Sequence, residues 1–278
     1  VSEQADGDTA KPSPVVQKAG GHFLGIAGAC IPPALLLLLN KTNGMPLPPA
    51  VACSFVGTLW LAAAFIIGRE SWDSVTRMKR ILCDALLREN VGLVATFCRA
   101  RVTNFISAIF VGVLFSTALL VFTYTVPISF FVVLFVASVV FVAIRVLAQK
   151  IASKYANTAA SVLTRRFAVT GLVGGLLMVC YFGWAILTPV EAFKPGSPDL
   201  ADHVINTIEH GCRTFQHLAR TSAFVDTTIR SLGNIPEIGG WIFLATFASF
   251  LSAVPMVAFV MCVRFGYESL SLVASRHG

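Results

Sequence analysis

The chain has 278 residues, of which 56% are hydrophobic and 13% charged, against ~25% charged in an ordinary soluble domain. So few charges cannot coat a globule, and the mean hydropathy of +0.77 comes from long apolar blocks, which exclude disorder, collagen-like repeats, a small disulfide scaffold and a soluble enzyme. The net charge of +7 has no zinc-finger spacing, helix-turn-helix pattern or aromatic and basic stripe beside it, so nucleic acid is not an expected partner.

In chain order, residues 1–20 form a polar tail containing Lys11-Pro12-Ser13-Pro14. Crossing a hydrocarbon core of about 30 Å takes roughly 20 apolar residues, and six stretches meet that length. They run from Gly21 to Leu39, Ala50 to Gly68, Asn104 to Tyr124, Ile128 to Ala148, Ala168 to Thr188 and Trp241 to Val263. The chain therefore divides into the tail, a bundle of five spans over 21–188, an outer loop over 189–240, and a last span with an inner tail over 241–278. The fold class is all-α, a polytopic membrane bundle of about six transmembrane helices in three hairpins with amphipathic interface helices. Pro32 and Pro33 in the first span predict a kink or a re-entrant course, and Pro255 predicts a kink in the last.

Basic residues resist translocation, which orients the spans. With both termini inside, the outer segments hold only Lys41, Lys194, Arg213, Arg220 and Arg230 of the 21 lysines and arginines. A first span lying in the interface would move only the N-terminus to the outer side. Trp184 and Trp241 fall near outer span ends, where amphipathic rings favour the headgroup layer. A bacterial inner membrane and an organellar inner membrane both fit this charge bias.

The inner stretch 71–101 has Val75, Met78, Leu82 and Leu86 on one stripe and Arg77, Arg80, Asp84 and Arg88 on another, which predicts a helix lying in the interface or against partner protein. The third and fourth spans, joined around Pro127, are expected to be antiparallel neighbours. In the outer loop Asp199 can cap a helix with the apolar face Val204, Ile208, Cys212, Phe215 and Ala219. His203, His210 and His217 line up along that helix about 10 Å apart, too far to share one metal, and read as an outer contact stripe.

Each even-numbered span ends near an arginine, and a polar side chain follows four residues on: Arg69 and Asp73, Arg145 and Gln149, Arg264 and Glu268. Together with Arg77, Arg80 and Arg88, these arginines are expected at the inner interface, their stems in the apolar layer and their heads at anionic headgroups. Gly21 with Gly25, and Gly171 with Gly175, are small-xxx-small pairs expected to let helices approach closely.

All fourteen acidic residues lie outside these span limits, which argues against an ion-coupled carrier, since such carriers use a carboxylate or histidine within the membrane. The span lysines and facing histidines that a retinal or haem site would need are missing too, so no metal or cofactor is expected beyond bound lipids. Of the seven cysteines only Cys212, and Cys53 near the outer end of the second span, approach the outer side, and no paired outer framework is expected. Asn40-Lys41-Thr42 matches a glycosylation acceptor but abuts the span, and chance explains it.

The expected role is a non-catalytic structural or accessory subunit of a membrane complex, whose partners are other membrane subunits or copies of itself together with anionic lipids. One rival is a passive channel or uncoupled transporter with the kinked first and last spans lining its path and hydroxyls such as Thr117, Thr123, Ser129, Ser138, Thr246 and Ser249 along it. Another is a lipid-acting membrane enzyme built on Glu70, Asp73 and His22.

Overall fold

A computed structural model describes residues 14–42, 48–86, 101–126, 128–155, 169–187 and 238–277. They form six helices: α1 (Pro14–Thr42), α2 (Pro49–Leu86), α3 (Arg101–Thr125), α4 (Phe130–Tyr155), α5 (Val169–Leu187) and α6 (Ile238–His277). Five carry stretches long and apolar enough to cross a membrane, namely Phe23–Lys41, Ala50–Arg77, Val102–Tyr124, Phe130–Ile151 and Ala253–Val273. The shorter apolar stretch Val169–Tyr181 lies in α5. The protein is a multi-pass helical membrane bundle. Residues 189–237 of the predicted outer loop, with His203, His210 and His217, lie outside the described residues, and 238–240 belong to α6.

Two sequence expectations about helix boundaries are corrected. The first span is not re-entrant: α1 runs unbroken for 29 residues through Pro32 and Pro33. The amphipathic segment after the second span is not a separate interface helix as far as Leu86, because α2 continues straight into it. No Gly or Pro lies between Glu70 and Leu86 to end the helix, so the amphipathic stripe prolongs the span. At about 1.5 Å per residue, the 38 residues of α2 and the 40 of α6 each far exceed a hydrocarbon core of about 30 Å.

Helix direction alternates along the chain, but chain neighbours are not the main packing partners. α6 touches all five other helices and packs most extensively on α1, while α2 and α3 form the second large pair. α1 and α2 barely meet, and neither do α3 and α4, so the expectation that the third and fourth spans must be neighbours is corrected. Their short turn fixes the antiparallel sense only; Phe122 and Phe130 touch edge to face beside it, and the helices then diverge.

The close pairs meet at glycines. A Cβ on Gly28 would collide with the carbonyl of Gly266, and one on Gly266 with the carbonyl of Gly28. One turn away, a Cβ on Gly25 would lie 2.6 Å from Tyr267 Cε2. In the α2 and α3 pair, a Cβ on Gly112 would come 2.6 Å from the Ala64 carbonyl oxygen, and one on Gly68 would come 3.2 Å from that of Ala108. Lipid tails are as apolar as leucine, so helices in a bilayer gain by close backbone approach, which missing side chains permit.

The main core gathers Met256, Phe259 and Val263 of α6, Phe131, Leu134 and Phe141 of α4, and Val173 and Leu177 of α5. A smaller cluster joins Leu39 of α1, Val56 of α2 and Leu120 of α3. Outside, large apolar side chains stay exposed, among them Phe105, Ile109 and Phe110 of α3, Phe65 of α2 and Val179 of α5. Such a coat is costly in water and free of cost in lipid.

Candidate functional site: a buried charge cluster at the arginine-bearing end

Arg69, Arg145 and Arg264 lie toward the same end of the bundle, because α2, α4 and α6 run in one direction and each carries its arginine after a long apolar stretch. The structure turns two of them inward. Arg264 is 5% exposed and Glu70 is 5% exposed. Arg264 Nη2 stands 3.3 Å from Glu70 Oε2, and its Nε donates to Glu268 Oε1 at 3.2 Å, one turn along α6. Glu268 Oε1 also accepts from Arg145 Nη2 at 2.8 Å. Two carboxylates and two guanidiniums thus alternate in a chain from α2 through α6 to α4.

Aromatic rings of α6 flank this chain. The Arg145 guanidinium sits over the Tyr267 ring at 4.8 Å, and that of Arg69 sits near the Phe265 face at 5.8 Å. Both contacts use the negative face of a ring to hold a cation. Tyr267 also fills the space that Gly25 leaves open, so the segment Arg264 to Glu268 contacts α1, α2 and α4 together.

The expectation that these arginines snorkel to the interface is corrected for Arg264. Its head stays inside because Glu70 and Glu268 meet it there; a buried charge persists where paired charge and hydrogen bonds offset desolvation. Arg145 is half-buried in its pair with Glu268. Arg69 and Arg77 are exposed, Arg80 lies on α2 with its side chain outside the described set, and Arg88 lies outside the described residues.

The carboxylates lie at the same end. Glu70 and Asp73 fall within the apolar stretch Ala50–Arg77, and Glu268 within Ala253–Val273. The sequence limits end at Gly68 and Val263 because a charged residue follows each, and Ala50–Arg77, at 28 residues, is longer than the roughly 20 that a hydrocarbon core needs. Glu70, Asp73 and Glu268 thus belong to the charged ends of their candidate stretches, beyond the sequence limits at Gly68 and Val263.

The expected packing glycines divide. Gly25 lies against Tyr267, whereas Gly171 and Gly175 have nothing within 4 Å among the described residues. Both lie on the exposed side of α5, while Val173 and Leu177 face the core, so that pair makes no close helix contact among the described residues. The surroundings of Gly21 lie outside the described residues. Sequence reading missed Gly28, Gly68, Gly112 and Gly266; an isolated glycine inside an apolar helix costs about 1 kcal/mol relative to alanine and signals a close neighbour.

At the opposite end, Asn40 Nδ2 donates to the carbonyls of Thr123 at 2.6 Å and Val126 at 3.1 Å, tying the last turn of α1 to that of α3. An amide engaged in this way is not presented for glycosylation. Trp60 Nε1 donates to Thr117 Oγ1 at 3.1 Å. Cys53 is disulfide-bonded, so the expectation of no paired framework at this end is corrected. Cys30, Cys180 and Cys262 are free thiols.

Among the described residues no three His, Cys, Asp or Glu side chains are grouped to hold a metal ion. Of the trio weighed for lipid chemistry, Glu70 is engaged with Arg264, Asp73 is half-buried on α2, and the His22 side chain lies outside the described set. Neither the known family models, nor the curated proteins, nor the solved structures contain a match to this chain.

Proposed function

We propose that this protein is a non-catalytic structural or accessory subunit of a membrane complex, packing against other membrane subunits or copies of itself. The observation that carries this reading is the fate of the buried hydroxyls. Ser116, Thr123 and Ser138 are at most 1% exposed, and each donates to a carbonyl of its own helix, of Val113, Leu119 and Leu134 respectively. A hydroxyl bonded back to its own helix satisfies itself inside an apolar core and offers nothing to a passing solute. Thr117 is engaged by Trp60. Thr117, Thr123 and Ser138 are three of the six hydroxyls expected along a polar route, and their engagement supports a packed scaffold over the passive channel.

The charge cluster supports the same reading. Its opposite charges face one another, as in a clamp joining three helices, and the ring contacts add to its cohesion. Exposed Arg69 and Arg77 at the same end suit anionic headgroups, and this end is assigned to the inner side with both termini. Host membranes consistent with that assignment are a bacterial inner membrane or an organellar inner membrane.

Native mass spectrometry of the protein extracted from its own membrane in mild detergent tests the proposal. Stoichiometric foreign subunits or a defined homo-oligomer is the expected result. A lone monomer that, in liposomes, dissipates an imposed proton gradient or releases a trapped solute overturns it. The proton gradient is included because Glu70 is a buried carboxylate.

A further inference from the structure

We propose that Arg69 and Asp73 form the headgroup site for one phosphatidylethanolamine molecule, with its phosphate on Arg69, its ammonium on Asp73 and its acyl chains along the exposed side of α2. Leu61, Phe65, Arg69 and Asp73 advance by four residues at each step, so they follow one another along one side of the helix. Leu61, Phe65 and Arg69 are exposed, and this side of α2 therefore faces lipid. Glu70, 5% exposed, turns the other way, to Arg264.

Arg69 is held in place without a carboxylate. Its guanidinium sits 5.8 Å from the centre of the Phe265 ring on α6, a contact that steadies the planar group at the seam of the two helices. Among the described residues no ion pair joins Asp73 to Arg69 or to the exposed Arg77 one turn beyond. A guanidinium exposed at the end of an apolar stretch is matched by a phosphodiester, which its fork binds through parallel N–H donors.

The order of groups along α2 is the order of groups along a phospholipid. Each step of four residues rises about 6 Å, so Leu61 and Phe65 lie at the level of acyl chains, Arg69 one turn beyond them and Asp73 one turn beyond that. A phosphate on Arg69 places the next group of the head beside Asp73. A carboxylate there favours a cation, and the neutral glycerol of phosphatidylglycerol supplies none. Choline brings a positive charge but no N–H donor. Ethanolamine carries a primary ammonium two carbons beyond the phosphate ester, with N–H donors for the carboxylate. The pair thus narrows the general attraction of exposed arginines for anionic headgroups to one site with opposite charges a turn apart, and it stands apart from the subunit role proposed above.

Native mass spectrometry of the full chain in mild detergent tests the site, with phosphatidylethanolamine, phosphatidylcholine and phosphatidylglycerol of identical acyl chains added singly and in equal mixture. One phosphatidylethanolamine should be retained about tenfold more strongly than either rival, the size of one charge-assisted hydrogen bond. Arg69→Gln should lower that retention by about tenfold or more. Asp73→Asn should keep one bound phospholipid and erase the preference among headgroups, while Arg77→Gln should change neither. Equal or stronger retention of phosphatidylcholine or phosphatidylglycerol by the unsubstituted chain overturns the proposal, and that comparison requires no variant to fold. A preference that survives Asp73→Asn overturns it as well. So does a loss in Arg77→Gln as large as in Arg69→Gln, since diffuse positive charge then holds the lipid.

Discussion

The two ends of the bundle are held by different chemistry. At the arginine-bearing end, α2, α4 and α6 are joined by Glu70, Arg264, Glu268 and Arg145, with Arg264 and Glu70 almost fully buried. At the other end the ties are neutral: Asn40 reaches backbone carbonyls of α3, Trp60 meets Thr117, and Tyr181 contacts Phe122 and Phe130 edge to face. Charges specify partners over a longer range but impose desolvation, which they must offset against one another. Neutral ties cost less to bury and less to lose. The difference teaches that the arginine-bearing end has more to lose from a single substitution.

The largest effect is expected from Arg264→Leu, which strands Glu70 in a site built for a cation. Thermal unfolding in mild detergent, followed by reaction of the buried Cys262 thiol with a fluorogenic maleimide, should show a loss of about 3–5 kcal/mol. Adding Glu70→Leu should restore most of it, since two apolar side chains replace the pair; no recovery in the double variant would show that Arg264 acts through something other than Glu70.

Next comes the glycine crossing shared by α1 and α6. Gly28→Ala pushes a methyl group into the Gly266 backbone, which cannot turn aside as a side chain can, and should cost about 1–3 kcal/mol in the same assay. Gly171→Ala, with open space around it, should have the opposite sign, a gain of up to about 1 kcal/mol from helix propensity. Equal effects at the two sites would mean that crossing distance does not limit the fold.

At the neutral end Asn40→Ala removes two donated hydrogen bonds and should cost about 1–2 kcal/mol. A loss exceeding that of Arg264→Leu would reverse the contrast between the ends. Ser138→Ala should be the smallest change, within about 0.5 kcal/mol, because its hydroxyl serves only its own helix. Any larger loss would reveal a polar partner for Ser138 and revive a hydroxyl-lined route.

Much of the helix plan was legible in the sequence. Apolar runs located the crossings, and arginines after even-numbered spans marked one end of the bundle. The candidate site was legible only in its members. Arg145, Arg264, Glu70 and Glu268 could each be picked out as charges beside a span, yet Arg264 was assigned to the interface because nothing local to it shows Glu70 on another helix far away in the chain. Glu268, four residues on, was visible as a neighbour and gave half of the pairing.

The sequence by itself determined that this chain is a bundle of apolar helices, because the length of an apolar run measured against bilayer thickness is a local property. It also placed a positive charge bias at one end. Only the tertiary structure decided which helices touch: α6 at the centre, α1 against α6, and α2 against α3. In lipid no excess of hydrophobicity draws one helix to another, so the choice falls to backbone approach at single glycines and to charges that meet across helices, both of which depend on residues far apart in sequence.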